Sequence, residues 1–393
     1  MNNSIELIEG YEKLVQLIGD KSYNFAAMVI TPWHLKGVKC AIKYLYDKGI
    51  NVSGILCIME HGTSGMCIGQ GMLSGLPDTI DVCYLKEIPS TFGKNMRKIA
   101  QILRANIFMP NNGYKEFFLA TAGGYNHFLQ REIENNEKCV VRSIIFEEGV
   151  QTYLSPIRHD KMKISAYMRY KFKRCIYSLL DITKRKSSDI ILTLFTKSRH
   201  LTENRTAIDL YKYILNEERI CLSDDIGKLY EDAVVINLQT FYDEGEIEND
   251  EDIQIISAIV DICNRLGKMP VIKLHPRDMN KSRILELNKG IVDSSNIPQE
   301  SIINSLNIKP CVLIGFTTTT LLTAKLFWNI ETISISGILG KNNSNRRLHT
   351  HIDDFRQVFQ DIVVFTDDYV DFENKLSEII NKGNNGLYEK RYD

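Results

Sequence analysis

The sequence predicts an α/β protein of two domains, each built on a parallel sheet. Three observations predict it. Short apolar runs rich in Val, Ile and Phe alternate with longer stretches of helical spacing, the pattern of βαβ units whose strands are covered on both faces. The alternation halts in a polar stretch at 196–223 and then restarts. The 393 residues also suffice for two cores, at about 100–200 residues per domain.

Taken in order, strands are expected at Ala26–Ile30, Val52–Ile58, Ile80–Leu85, Glu116–Thr121, Arg142–Phe146 and Ile190–Phe195. A helix over Trp33–Lys48 carries Leu35, Val38, Ala41, Ile42 and Leu45 on one face, and Gly49 caps it. Further helices are expected at Phe92–Leu103 and Gly124–Ile133. The second set of strands is Ala233–Leu238, Pro270–Leu274, Cys311–Gly315, Thr332–Ile335 and Ile362–Thr366. Ile256, Ile259, Val260 and Cys263 mark a helix that Gly267 ends. The expected layout is an N-terminal domain over 1–205, a linker over 206–232 and a C-terminal domain over 233–393.

Composition narrows the function. With 44% hydrophobic residues and net charge −1, the chain is ordinary globular material, against disorder, collagen or coiled coil. No run approaches 18 uncharged apolar residues, and Glu6 and Glu9 interrupt the N-terminus, so neither a membrane span nor a secretory signal is expected. Nine cysteines without C-x-x-C spacing favour reduced thiols in the cytoplasm and argue against zinc.

Three motifs stand at expected strand ends, where open α/β sheets bind ligands. Glu147 and Glu148 follow the run Val140–Phe146, and Gly149 then permits a turn. Neighbouring residues on a strand face opposite ways, so one of the two carboxylates suits a proton-accepting role. His275 follows Val271–Leu274, flanked by Lys273, Pro276 and Arg277; a histidine there can protonate a departing phosphate. Gly315 ends a strand, and Thr317, Thr318, Thr319 and Thr320 lead into a helix reaching about Trp328. Hydroxyls and N–H groups at a helix start bind phosphate without a metal.

In combination and order these motifs resemble those of bacterial sialyltransferases, which share Asp/Glu-Asp/Glu-Gly, His-Pro and Ser/Thr-rich motifs. The closer resemblance is to the capsular polysialyltransferases of glycosyltransferase family 38, carried here by Glu147-Glu148-Gly149-Val150-Gln151-Thr152-Tyr153, Lys273-Leu274-His275-Pro276 and Gly315-Phe316-Thr317 to Thr320. All-threonine replaces the usual serines in the last. The resemblance implies a GT-B fold, two Rossmann-like domains facing across a central cleft. It implies an inverting, metal-independent transfer from CMP-sialic acid to a growing polysialic acid chain in capsule synthesis, with no cofactor and no metal ligands. Glu147 would be the general base and His275 the general acid. Lys273, Pro276, Gly315, Thr317, Thr318 and Thr319 would bind the donor, with Thr317 and Thr318 on the phosphate and Thr319 behind them, and Glu148 would lie on the acceptor side.

Charge adds an acceptor. Segment 158–186 holds ten cationic residues against two aspartates, interleaved with Tyr167, Tyr170, Phe172 and Tyr177. Its field attracts polyanions, so Arg158, Lys171, Lys173 and Arg174 are expected to meet the carboxylates of an oligo- or polysialic acid. Peripheral association with the inner face of the cytoplasmic membrane or a capsule complex is the next reading, and nucleic acid is not expected. The alternatives are an enzyme adding a single sialic acid to a lipooligosaccharide or other surface glycan, and a non-catalytic polyanion-binding scaffold of a capsule assembly complex. Gly69–Gly75 reads as a loop, Thr31–His34 as a helix start, and Arg346, Arg347, His349 and His351 as a basic loop near donor or acceptor. Asp353-Asp354 and Asp367-Asp368 read as surface charge.

Overall fold

The computed structural model describes residues 6–59, 68–86, 115–122, 127–150, 152–154, 190–196, 201–243, 245–247, 250–275, 280–295, 297–342 and 345–389. The expected helix Phe92–Leu103, the basic segment 158–186 with Arg158, Lys171, Lys173 and Arg174, and Pro276 and Arg277 lie outside the described residues. The chain divides into two compact units, Met1–Thr152 with His159–Ile214, and Tyr153–Arg158 with Leu215–Asp393.

The first unit's strands are β1 (Glu6–Glu9), β2 (Phe25–Val29), β3 (Gly54–Met59), β4 (Ile80–Lys86), β5 (Glu116–Ala122), β6 (Val140–Phe146) and β7 (Ile190–Leu192). Among the described residues they form one sheet in the order β1-β4-β3-β2-β5-β6-β7, parallel at every pairing. Counted from β2 and without the edge strand β1, this is the 3-2-1-4-5-6 order of doubly wound sheets. Buried Ala26, Ile55, Cys57, Leu119 and Val141 pack on one face against Leu14, Ile18, Leu129 and Ile133 of two helices, Tyr11–Asp20 and His127–Glu137. A short antiparallel pair, β8 (Phe195–Thr196) and β9 (Thr202–Glu203), follows.

The second unit repeats the scheme. Its strands are β10 (Val234–Asn237), β11 (Pro270–Lys273), β12 (Ile291–Asp293), β13 (Val312–Gly315), β14 (Glu331–Ser334) and β15 (Val364–Phe365). The order β12-β11-β10-β13-β14-β15 is again 3-2-1-4-5-6, with every pair parallel. Val234, Ile236, Ile272, Ile314 and Ile333 pack against Ile256, Ile259, Val260, Ile338, Leu348 and Phe372. Both units therefore match the expected parallel α/β class.

Several elements differ from expectation. The stretch expected as a linker holds two helices, Arg205–Glu217 and Asp224–Tyr230. Polar residues disguise the first, but Ala207, Ile208, Leu210, Tyr211, Ile214 and Leu215 are buried, one stripe of an amphipathic helix. The expected strand Ile190–Phe195 breaks at Thr193-Leu194, because the Leu194 N–H is taken by a side chain and the Thr193 hydroxyl bonds the Phe195 carbonyl at 2.8 Å. Arg346, Arg347, His349 and His351 lie on a helix, Arg346–Phe359, whose N-terminus Asn345 caps. On it Asp353 is exposed and Asp354 fully buried, so only one of that pair is surface charge. The Gly69–Gly75 loop contains a single 3-10 turn, Gln70–Leu73, and Lys39 holds it through the Met72 and Ser74 carbonyls at 3.3 and 2.7 Å.

Candidate active site

In the first unit, β6 delivers the Glu-Glu-Gly turn to the carboxyl edge of the sheet. Glu147 has no exposed surface. Its Oε1 accepts the Gly149 N–H at 2.8 Å, its Oε2 accepts the Leu194 N–H at 2.9 Å, and its own N–H donates to the Tyr211 hydroxyl at 3.2 Å. Two backbone donors thus hold the buried carboxylate in place. Gly149 has φ of +127°, a backbone that favours glycine, and Glu148 points to solvent.

The support for this turn is aromatic. The Tyr211 phenol is pushed well above its ordinary pKa by burial, then by the nearby Cys40 and Glu147, so it stays a neutral hydroxyl. Its ring stacks on Trp33 at 5.0 Å. Trp33 sits in the first turn of the helix Pro32–Asp47, where the Thr31 hydroxyl caps the His34 N–H. A Cβ at Gly37 would lie 2.4 Å from the Phe146 ring and 2.8 Å from the Tyr211 oxygen; only glycine lets this helix approach β6. Tyr211 carried no sequence signal, since it lies in the supposed linker.

In the second unit, paired residues place Asn237, Lys273 and Asp293 side by side at the carboxyl ends of β10, β11 and β12. Lys273 is 4% exposed. Its ammonium donates to the Ser295 carbonyl at 2.5 Å and hydroxyl at 2.9 Å, and pairs with Asp293 at 3.0 Å. Asp293 also accepts from the Tyr230 hydroxyl at 2.5 Å and the Ser295 N–H at 2.7 Å. Burial lowers the Lys273 pKa, with Asp293 opposing. Burial alone would raise the Asp293 pKa, but the bonds from Tyr230 and Ser295 and the charge of Lys273 bring it below the ordinary value. All three ammonium hydrogens are engaged, so Lys273, expected among the donor-binding residues, instead supports the strand that carries half-buried His275.

On the other side of β10, β13 ends at Gly315 and the helix Thr319–Trp328 begins with Thr318 as its cap; the Thr318 hydroxyl accepts the Thr320 N–H at 3.3 Å. A Cβ at Gly315 would fall 2.8 Å from the Thr318 methyl. Thr317 turns inward and has no exposed surface. Its N–H donates to Gln239 Oε1 at 2.7 Å, its hydroxyl lies 3.3 Å from Gln239 Nε2, and His351 Nε2 sits 2.9 Å from that hydroxyl. The expectation that Thr317 and Thr318 share a phosphate is therefore corrected: Thr317 is engaged by protein, while Thr318, Thr319 and Thr320 are half-buried at the surface. Gln239 lies two residues past the end of β10, and that strand-end position is the signal available for it.

His275 and the threonine turn thus bracket β10, the strand beside which the strand order reverses, where doubly wound sheets bind ligands. Glu147 belongs to the other unit. Among the described residues, no three His, Cys, Asp or Glu side chains are grouped as metal ligands.

The family model described as alpha-2,8-polysialyltransferase matches residues 84–336, well over half of the chain. Among curated proteins none matches in sequence. The structure is similar to the α/β-galactoside α-2,3-sialyltransferase of Photobacterium phosphoreum, with TM-score 0.44, 11% identity, and 92% of this chain and 99% of that one covered. It is similar to a sialyltransferase from Photobacterium damsela, with TM-score 0.48, 12% identity, and coverage of 87% and 81%. A UDP-GlcNAc 2-epimerase from Methanocaldococcus jannaschii follows, with TM-score 0.45, 11% identity, and 91% of each chain covered.

Proposed function

The chain belongs to the alpha-2,8-polysialyltransferase family, and on that premise we propose that it transfers sialic acid from CMP-sialic acid to an oligo- or polysialic acid acceptor, with inversion and without a metal. A glycosyltransferase of this kind needs a sialyl donor and a glycan acceptor. The observation that supports the donor reading is the pair formed by His275 and the threonine helix start on either side of β10.

In the proposed step the acceptor hydroxyl gives its proton to a carboxylate of the Glu147-Glu148 pair. Its oxygen bonds to the anomeric carbon, and the bond from that carbon to the phosphate oxygen breaks. His275 protonates the phosphate oxygen as CMP leaves, and Thr318 and Thr319 stabilise the phosphate at the helix start. Motif order assigns the base to Glu147. Glu147 has no exposed surface, whereas Glu148 is exposed, which favours Glu148 as the second reading.

The acceptor side draws on segment 158–186, whose charge suits a polyanion. The same segment offers a peripheral contact with an anionic inner membrane from the cytoplasm; among the described residues no helix is long and apolar enough to cross one. The test is incubation with CMP-sialic acid and sialyl acceptors of graded length, read as CMP release and product length. Release that depends on acceptor and extends long products supports the proposal. A single addition that stops supports the one-residue enzyme, and no release with any acceptor overturns it.

A further inference from the structure

We propose that His351 is a positioning residue of the donor site, acting through Thr317; this rests on the reading of the threonine turn as the phosphate-binding element. Thr317 is the residue immediately before the helix cap Thr318. It is held from two directions, by Gln239 just beyond β10 and by His351 on the helix Arg346–Phe359. Thr317 has no exposed surface and His351 is 8% exposed, so the contact lies inside the second unit and has no solvent to replace it.

The bonding pattern is self-consistent. Gln239 Oε1 accepts the Thr317 N–H at 2.7 Å, which leaves the Gln239 amide hydrogens for the Thr317 hydroxyl oxygen at 3.3 Å. The same hydroxyl lies 2.9 Å from His351 Nε2, so the histidine fills its second hydrogen-bonding role. A hydroxyl with one donor role and one acceptor role filled has a fixed orientation. With both its backbone and its side chain tied, Thr317 fixes the direction in which Thr318, Thr319 and the first turn of the helix face a phosphate. A site that must stabilise charge on a leaving group gains from such fixed geometry. His351 itself does not touch the phosphate in this scheme.

The test uses the full chain and CMP as the probe, with binding measured by calorimetry and folding by thermal unfolding. His351→Phe keeps a ring but removes the hydrogen-bonding nitrogen; CMP affinity is expected to fall by about tenfold, the scale of one buried hydrogen bond. The KM for CMP-sialic acid rises in step and the KM for the acceptor stays fixed. His351→Gln, which restores a hydrogen-bonding group, recovers most of the affinity. Thr317→Val, which removes only the hydroxyl, weakens CMP to the same extent, and the double variant is no weaker than the worse single one. Folded His351→Phe that binds CMP as the wild type does, or losses that add in the double variant, overturn the inference alone. If His351→Phe does not fold, unchanged CMP affinity in Thr317→Val overturns it. A wild-type chain that binds no CMP overturns the donor reading and this inference together.

Discussion

The two units share one strand order, yet they arm it differently. In the first, the polar group is a carboxylate at the end of β6, one strand beyond the reversal of strand order, buried and tied to backbone N–H groups. In the second, the polar groups stand on both sides of β10, at the reversal itself: a histidine past β11 and threonines past β13. A carboxylate accepts protons, and a histidine with a helix start donates to anions. The same scaffold thus gives two edges of opposite chemical character, and the side chains placed on it, not the topology, decide which.

The largest effect separates the edges by chemistry. Glu147→Gln is expected to lower transfer by about 10²–10⁴-fold, the range of general-base catalysis, while CMP binding in the other unit stays unchanged. One oxygen of Glu147 becomes an amide group facing a backbone N–H, so thermal unfolding should also drop by about 1–3 kcal/mol. Full transfer in Glu147→Gln with the loss appearing in Glu148→Gln moves the base to Glu148.

Next comes the support under His275. Lys273→Met leaves Asp293 buried without its cation, and breaking such a pair costs about 3–5 kcal/mol; denaturant unfolding measures it. The sign with pH follows from Asp293. Its folded pKa lies below the ordinary 3.8, so the protons it binds on unfolding make its contribution present above that value and lost as pH falls through the folded one. Asp293→Asn should flatten the acid limb of the stability curve. An unchanged limb would show that other carboxylates set it.

Much of this was legible in sequence because strand ends announce themselves. Gly149, His275 before Pro276, and Gly315 before the threonines each follow an apolar run, and the structure puts each at a carboxyl edge. The supporting residues were not legible. Lys273 and Thr317 looked like ligands because their neighbours in sequence were; only their partners, Ser295, Asp293, Gln239 and His351, show that they face inward. Those partners lie between 20 and 78 residues away, beyond the reach of any local pattern. Tyr211 is hidden for the converse reason: its helix is polar on the outside and reads as a linker.

A smaller perturbation is confined to the first unit. Gly37→Ala sets a methyl against Phe146 and the Tyr211 hydroxyl, and overpacking of this kind costs about 1–3 kcal/mol. Thermal unfolding should fall, and transfer should fall with it through the displaced Glu-Glu-Gly turn, while the CMP affinity of the second unit is retained. Equal loss of CMP affinity would mean that the two edges are not independent.

The smallest expected effect tests whether the acceptor side extends into the basic segment. Neutralising Lys171, Lys173 and Arg174 together removes three of the ten cationic residues in 158–186. A single CMP-sugar carries little charge for that field to act on, whereas a long polysialic acid has one carboxylate per residue. The KM for long acceptors should therefore rise by about fivefold, the scale of a few screened charge contacts, with the KM for a short acceptor and for the donor nearly fixed. The preference for long acceptors should also fade in the wild type as salt rises, because the Debye length shrinks from about 8 Å at physiological ionic strength to about 3 Å at 1 M. A membrane role for the segment predicts a different pair of results: soluble kinetics unchanged and binding to anionic vesicles lost. If neither long-acceptor KM nor vesicle binding responds, the segment is a solvated charged stretch, and the acceptor side is confined to the Glu-Glu-Gly edge.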